Sequence, residues 1–256
     1  IANPIMGDRI RMTNSEWTYS IEAVRRQVGL ETLLCVTDFT ALAMALPHLA
    51  PQASRQLGGG EPVINCPIGL LGAGTGLGVS GLVPSRSGWV PLETEGGHAT
   101  FSPFSEREIE LLRLAKQTWP HVSLERFISG MGLELIYRLL MESRGKEAEP
   151  LRAPDITARA LSGECAWCNE VVEIFCQMLG TAAGNLALTL GARGGIYIGG
   201  GIVPRLGERF FASGFRQRFE EKGRFSSYLS HIPVYVILDT YAALTGVSAL
   251  LDRHPG

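Results

Sequence analysis

The chain has 256 residues, 45% of them apolar, and a formal net charge of −2, which gives it length for a full core but no basic face for nucleic acid. No run approaches the ~18 consecutive apolar residues of a membrane span. Five cysteines, an odd number scattered along the chain, do not make a secreted disulfide framework and fit a reducing cytoplasm.

The chain opens at Ile1 with a strand-like Ile-Ala-Asn-Pro segment and neither methionine nor signal peptide, so upstream residues are expected to be missing. A helix is expected over 21–29, capped by Ser20 and carrying Glu22 in its first turn. Leu33-Leu34-Cys35-Val36 then predicts a buried strand that delivers Thr37 and Asp38 to a sheet edge, followed by an apolar helix over 39–49 stopped by Pro51. Ligands in α/β proteins collect outside the carboxyl ends of strands, which makes Asp38 a candidate functional residue. An N-cap for the following helix is the plain alternative, and the residues alone leave both open.

Gly72-Ala-Gly-Thr-Gly-Leu-Gly78 places four glycines at alternate positions around one threonine, directly after the apolar run 67–71. Glycine permits left-handed φ and close approach of backbone to a ligand, and Thr75 adds a hydroxyl, so the stretch predicts a phosphate-gripping turn. A ligand-free hairpin is the plain alternative. Another apolar run follows instead of a helix, so the G-x-G-x-x-G at Gly76, Gly78 and Gly81 is a poor dinucleotide fingerprint. The only lysines are Lys116, Lys146 and Lys222, which rules out a P-loop.

Glu95-Gly96-Gly97-His98 has the polarity of a site more than of a core. Helices are expected over 105–119, over 124–142 opening near Glu125, and over 155–161 with Asp155 as cap. A central core helix is expected over 168–190. Cys165-Ala-Trp-Cys168 has C-x-x-C spacing without a second pair or histidine cluster and reads as helix cysteines. A second glycine turn, Gly199-Gly200-Gly201, follows a short strand and precedes a helix from about Arg205. A strand over 234–238 and a helix from about Ala242 close an α/β chain with an enclosed sheet.

Met12-Thr-Asn14, Asp38-Phe-Thr, the 72–78 turn, Glu95-Gly-Gly-His98, Ser123-Leu-Glu-Arg126 with Ser129-Gly130, and Gly199-Gly-Gly-Ile-Val-Pro204 together resemble the bacterial glucokinase family of actin-like, hexokinase-type sugar kinases. The resemblance runs from Ile1 to about Leu251. It implies a two-domain actin-like ATPase, ribonuclease H-like fold, with a small domain of 1–48 and 239–256 and a large one of 49–238, around a cleft. It implies transfer of the γ-phosphate of ATP to the 6-hydroxyl of D-glucose, with Asp38 as general base. Thr37, Asp38, Gly76, Glu95, His98 and Glu125 would bind the sugar. Gly72, Gly74, Thr75 and Gly76 would meet the phosphates, and Gly199, Gly200 and Gly201 the adenosine. Mg²⁺ would travel with the nucleotide without a metal site of the chain's own, and the enzyme would be a cytoplasmic homodimer.

Three departures stand out. No Asp-x-Gly-Gly-Thr-Asn hairpin is present, so these residues alone are expected to be feebly active or inactive and less stable than the intact enzyme. Thr37 stands where the family carries asparagine, which predicts altered sugar affinity. Thr240-Tyr-Ala-Ala-Leu differs from the family's Asn-Pro-Gly-like entry to the last helix. A non-catalytic sugar-binding or regulatory relative is the main alternative; a nicotinamide-dependent oxidoreductase is disfavoured by the strand after the glycine turn.

Overall fold

The structure, a computed structural model, describes residues 1, 5, 7–12 and 16–253; Thr13 and Asn14 of the first motif lie outside them. The strands are β1 (Arg9–Arg11), β2 (Thr18–Ser20), β3 (Ser54–Gln56), β4 (Ile68–Ala73), β5 (Leu77–Ser85), β6 (Gly88–Pro91), β7 (Ile196–Gly199) and β8 (Val234–Ile237). The helices are α1 (Ile21–Val28), α2 (Asp38–Ala45), α3 (Glu106–Ala115), α4 (Leu124–Phe127), α5 (Gly130–Glu142), α6 (Ala153–Leu161), α7 (Ala166–Leu190), α8 (Ile202–Leu206), α9 (Glu208–Phe211), α10 (Phe215–Glu220), α11 (Ser226–Ser230) and α12 (Ala242–Leu251).

A six-stranded sheet in the order β3-β8-β7-β4-β5-β6 forms the centre. Its middle pairs, β4 with β7 and β7 with β8, are parallel, and the outer pairs are antiparallel. β4 reads Ile-Gly-Leu-Leu-Gly-Ala without polar alternation because every residue in it is buried, as a central strand covered on both faces requires. The larger core joins β4, β5, β7 and β8 to α3, α5, α7 and α10. A second cluster covers the other face, where Ala43, Met44, Ala45 and Leu46 with Ala242 and Leu250 pack on Ile68, Leu70, Leu82 and Ile237. α2 and α12 approach so closely there that a Cβ on Gly246 would overlap the carbonyl of Ala41. Gly246→Ala should therefore lower stability by ~1–3 kcal/mol through overpacking, measured by chemical denaturation. An unchanged midpoint would contradict this helix contact.

Local signals mostly agree with these elements. Ser20 Oγ accepts from Ala23 N at the start of α1, and Gly29 ends that helix with a left-handed φ of 73°. α7 is long and apolar enough to cross a membrane by composition, yet 72% of its apolar window is buried inside the fold, as befits a core helix.

Four expectations change. Leu33–Val36 is half-buried and forms no strand; Ile1 N donates to Val36 O at 2.8 Å and Asp38 N to Ile1 O at 3.1 Å, a pairing too short for a ladder among the described residues. The expected 124–142 helix breaks after Phe127, because Ser129 Oγ accepts from Gly132 N and starts α5 anew. Asp155 lies inside α6, its carboxylate accepting from Arg152 N at 3.1 Å, so it caps from the first turn and not from the boundary. α8 begins at Ile202, three residues before the expected start, immediately behind the glycine turn.

Candidate active site

β4 and β7 are parallel neighbours, and their register pairs Gly72 with Gly199. Their carboxyl ends therefore release both glycine turns at one edge of the sheet, the usual place for a ligand. In the first turn Gly74 N donates to Gly76 O at 2.8 Å, and Gly130 N reaches across to Gly74 O at 2.8 Å. Thr75 stands exposed at the tip, and a Cβ at Gly74 would meet nothing within 4 Å. None of Gly72, Gly74, Gly76 and Gly78 has a left-handed φ. The conformational reason for glycine offered by the sequence thus fails here; close approach replaces it at three of the four positions.

In the second turn Gly200 does have φ +80°, and a Cβ there would overlap the backbone of Ala73. Only glycine fits on both counts. Gly199, Gly200 and Gly201 line a cleft of about 400 Å³ together with Asp38, Phe39, Leu42, Arg205 and Asp239. Bare backbone on one wall and apolar side chains on another suit a flat, uncharged ring system, so the residues present fit a nucleoside.

Asp38 opens α2 with an exposed carboxylate whose Oδ1 accepts from Phe39 N at 3.0 Å. Thr37 is the true N-cap: its Oγ1 accepts from Thr40 N at 3.1 Å and lies 2.7 Å from Thr40 Oγ1. Asp38 therefore is not the boundary cap, although its carboxylate accepts from the first-turn N–H of Phe39.

The backbone segments that carry the other polar residues meet near Leu77, the first residue of β5. Leu77 N donates to Glu125 Oε2 at 2.9 Å, and a Cβ at Gly76 would overlap that same oxygen. Gly96 and Gly97 lie flat on β5, since a Cβ at Gly97 would overlap the Leu77 carbonyl and one at Gly96 would stand 2.9 Å from Val79 Cβ. The short 3₁₀ turn Gly96–His98 carries Glu95 before it and ends in His98, both exposed, with Oε2 and Nε2 4.0 Å apart. Leu124 N donates to Ala99 O at 2.8 Å, which fastens this segment to α4 and so to Glu125. Glu95, His98, Glu125 and Gly76 are therefore held around one end of the glycine hairpin.

Phe39 escaped the reading of the sequence. Its ring lies where Gly72 and Gly78 have no side chains. The available signal was glycine inside strands, which marks close approach of another group.

Among the described residues no three His, Cys, Asp or Glu side chains gather as a metal cluster. Cys165 Sγ accepts from Cys168 N at the start of α7, and burial pushes the Cys168 and Cys176 thiols up to about 12. They are protonated packing groups, in line with the helix-cysteine reading.

The glucokinase family profile matches residues 1–254. The glucokinase of Chromobacterium violaceum is 57% identical over 254 residues, an alignment that spans 99% of this chain and 73% of that protein. A longer relative, the bifunctional protein glk of Burkholderia pseudomallei, is 56% identical over 255 residues, which make up 40% of its length. Among solved structures, a glucokinase from an Antarctic psychrotroph superposes with a TM-score of 0.91 at 35% identity, covering 99% of this chain and 79% of that one. The fold is that of the actin-like sugar kinases, and the chain belongs to the glucokinase family.

Proposed function

We propose that the chain transfers the γ-phosphate of ATP to the 6-hydroxyl of D-glucose, giving glucose 6-phosphate and ADP. The observation that carries this reading is the shared cleft: the exposed carboxylate of Asp38 opens onto the same space as the Gly199–Gly201 turn, beside the 72–78 hairpin. Phosphoryl transfer needs little covalent chemistry from a protein beyond positioning and charge stabilisation. Asp38 takes the proton from the attacking hydroxyl as the oxygen–phosphorus bond forms and the bond to ADP breaks. Backbone N–H groups of Thr75 and Gly76 hold the phosphates, and Gly74 leaves open space for their approach. Mg²⁺ arrives with the nucleotide and offsets phosphate charge.

Glu95, His98 and Glu125 hold the other sugar hydroxyls. Such a site rejects a sugar lacking a matched hydroxyl, because the protein group is left unpaired. Closure of the cleft around the sugar keeps water from competing with the hexose.

Glu125→Ala tests the sugar assignment. A lost hydrogen bond to a charged group is worth ~1.5–3 kcal/mol, so the glucose KM should rise about 10- to 100-fold while the ATP KM changes far less. Equal rises in both would remove Glu125 from the sugar site. Thr37→Asn offers the amide's paired donor and acceptor in place of a capping hydroxyl. Glucose affinity should change; an unchanged value would mean that position 37 serves only as the cap of α2.

A further inference from the structure

Building on that function, we propose that Phe39 is the positioning residue that couples the base to the phosphate turn, and that Gly72 and Gly78 are glycine to admit its ring. Gly72 and Gly78 are direct partners across the β4–β5 ladder, so their side-chain positions fall on the same face. The Phe39 ring occupies that double vacancy. A Cβ built on Gly78 finds Phe39 atoms as all three of its nearest neighbours, each far inside contact distance. One built on Gly72 would stand 2.5 Å from Phe39 Cζ, and then 2.8 Å from Gly199 C and 3.0 Å from Gly200 N.

Neither glycine has a left-handed φ, so conformation does not explain them. The four hairpin glycines divide by task. Gly72 and Gly78 receive Phe39, Gly76 makes room for Glu125, and Gly74 has open space where a ligand can approach. Phe39 follows Asp38 in the first turn of α2, and its own N–H donates to the Asp38 carboxylate. A ring seated in the hairpin therefore fixes the base relative to the turn that grips phosphate. Alignment of this kind is worth a great deal: a displacement of ~1 Å costs about 10²-fold in rate.

A double-mutant cycle on the full chain tests the proposal. Gly78→Ala should lower kcat about 10²-fold by displacing the ring, and Phe39→Ala about tenfold by releasing the base. Combined, the two should match Phe39→Ala alone, because the new methyl then enters the space the ring has left. Gly72→Ala should gain no such rescue, since its methyl still meets the backbone of Gly199 and Gly200. Phe39→Leu should lower kcat per folded molecule while the glucose KM stays within about twofold, which places the loss in the transition state and not in sugar binding.

A combined variant with the multiplied loss of both changes would overturn the proposal, as would rescue of Gly72→Ala by Phe39→Ala. The thermal midpoint of the same cycle separates this idea from the function beneath it. If glucose-dependent turnover is absent throughout, the unsubstituted chain included, these residues alone do not carry the activity. The packing claim then stands only if the combined variant melts above Gly78→Ala, and falls if it melts below.

Discussion

Replacing Asp38 by asparagine is expected to lower kcat by about 10²–10⁴-fold, the range for loss of a general base, with little change in the glucose KM. Asparagine keeps the size of the side chain and an oxygen that can accept from Phe39 N, as Asp38 Oδ1 does at 3.0 Å. The cap of α2 is Thr37 and is untouched, so the helix should survive. What disappears is the negative charge and the ability to take a proton. Steady-state kinetics with saturating Mg-ATP makes the comparison directly. A loss below about tenfold would mean that proton acceptance lies elsewhere.

The largest stability effect is expected far from the cleft, at the Glu108–Arg218 pair between α3 and α10. Arg218 Nη2 donates to Glu108 Oε1 at 2.7 Å with the two side chains only 6% and 1% exposed. Glu108 also accepts from Phe104 N at 2.7 Å, and Arg218 donates to Thr181 Oγ1 at 2.9 Å. Glu108→Ala removes the buried counter-charge and leaves the guanidinium with only the more exposed carboxylate of Glu221, 3.9 Å from Nε. Breaking one side of a buried pair costs about 3–5 kcal/mol, which in a chain of this size is a fall of roughly 10 °C in Tm. Differential scanning calorimetry would register it. A shift under about 2 °C would show that water reaches the pair on removal of the carboxylate.

The sequence was most legible where structure is decided locally. Ser20 and Gly29 mark both ends of α1, and the apolar spacing of 168–190 finds α7 almost to its boundaries. The glycine turns could be placed as well, because a run of glycine after an apolar strand has few other uses. Long-range contacts were out of reach. Leu33–Val36 has the composition of a strand, but a ladder needs partner backbone that composition cannot announce. Ser129 restarts a helix whose periodicity on either side is continuous, so the break is invisible to spacing alone. Phe39 is an ordinary apolar residue until β4 and β5 bring Gly72 and Gly78 beneath its ring. The same holds for Glu125: its sequence context shows only a first-turn acid, while its bond to Leu77 N spans 48 residues.

Glucose-dependent release of ADP from Mg-ATP, measured beside the Asp38→Asn variant, decides whether the cleft works as a glucose kinase with Asp38 as its base. Release should require glucose, yield glucose 6-phosphate in equal amount and fall away in the variant. Release indifferent to glucose, or equal in both proteins, would contradict it.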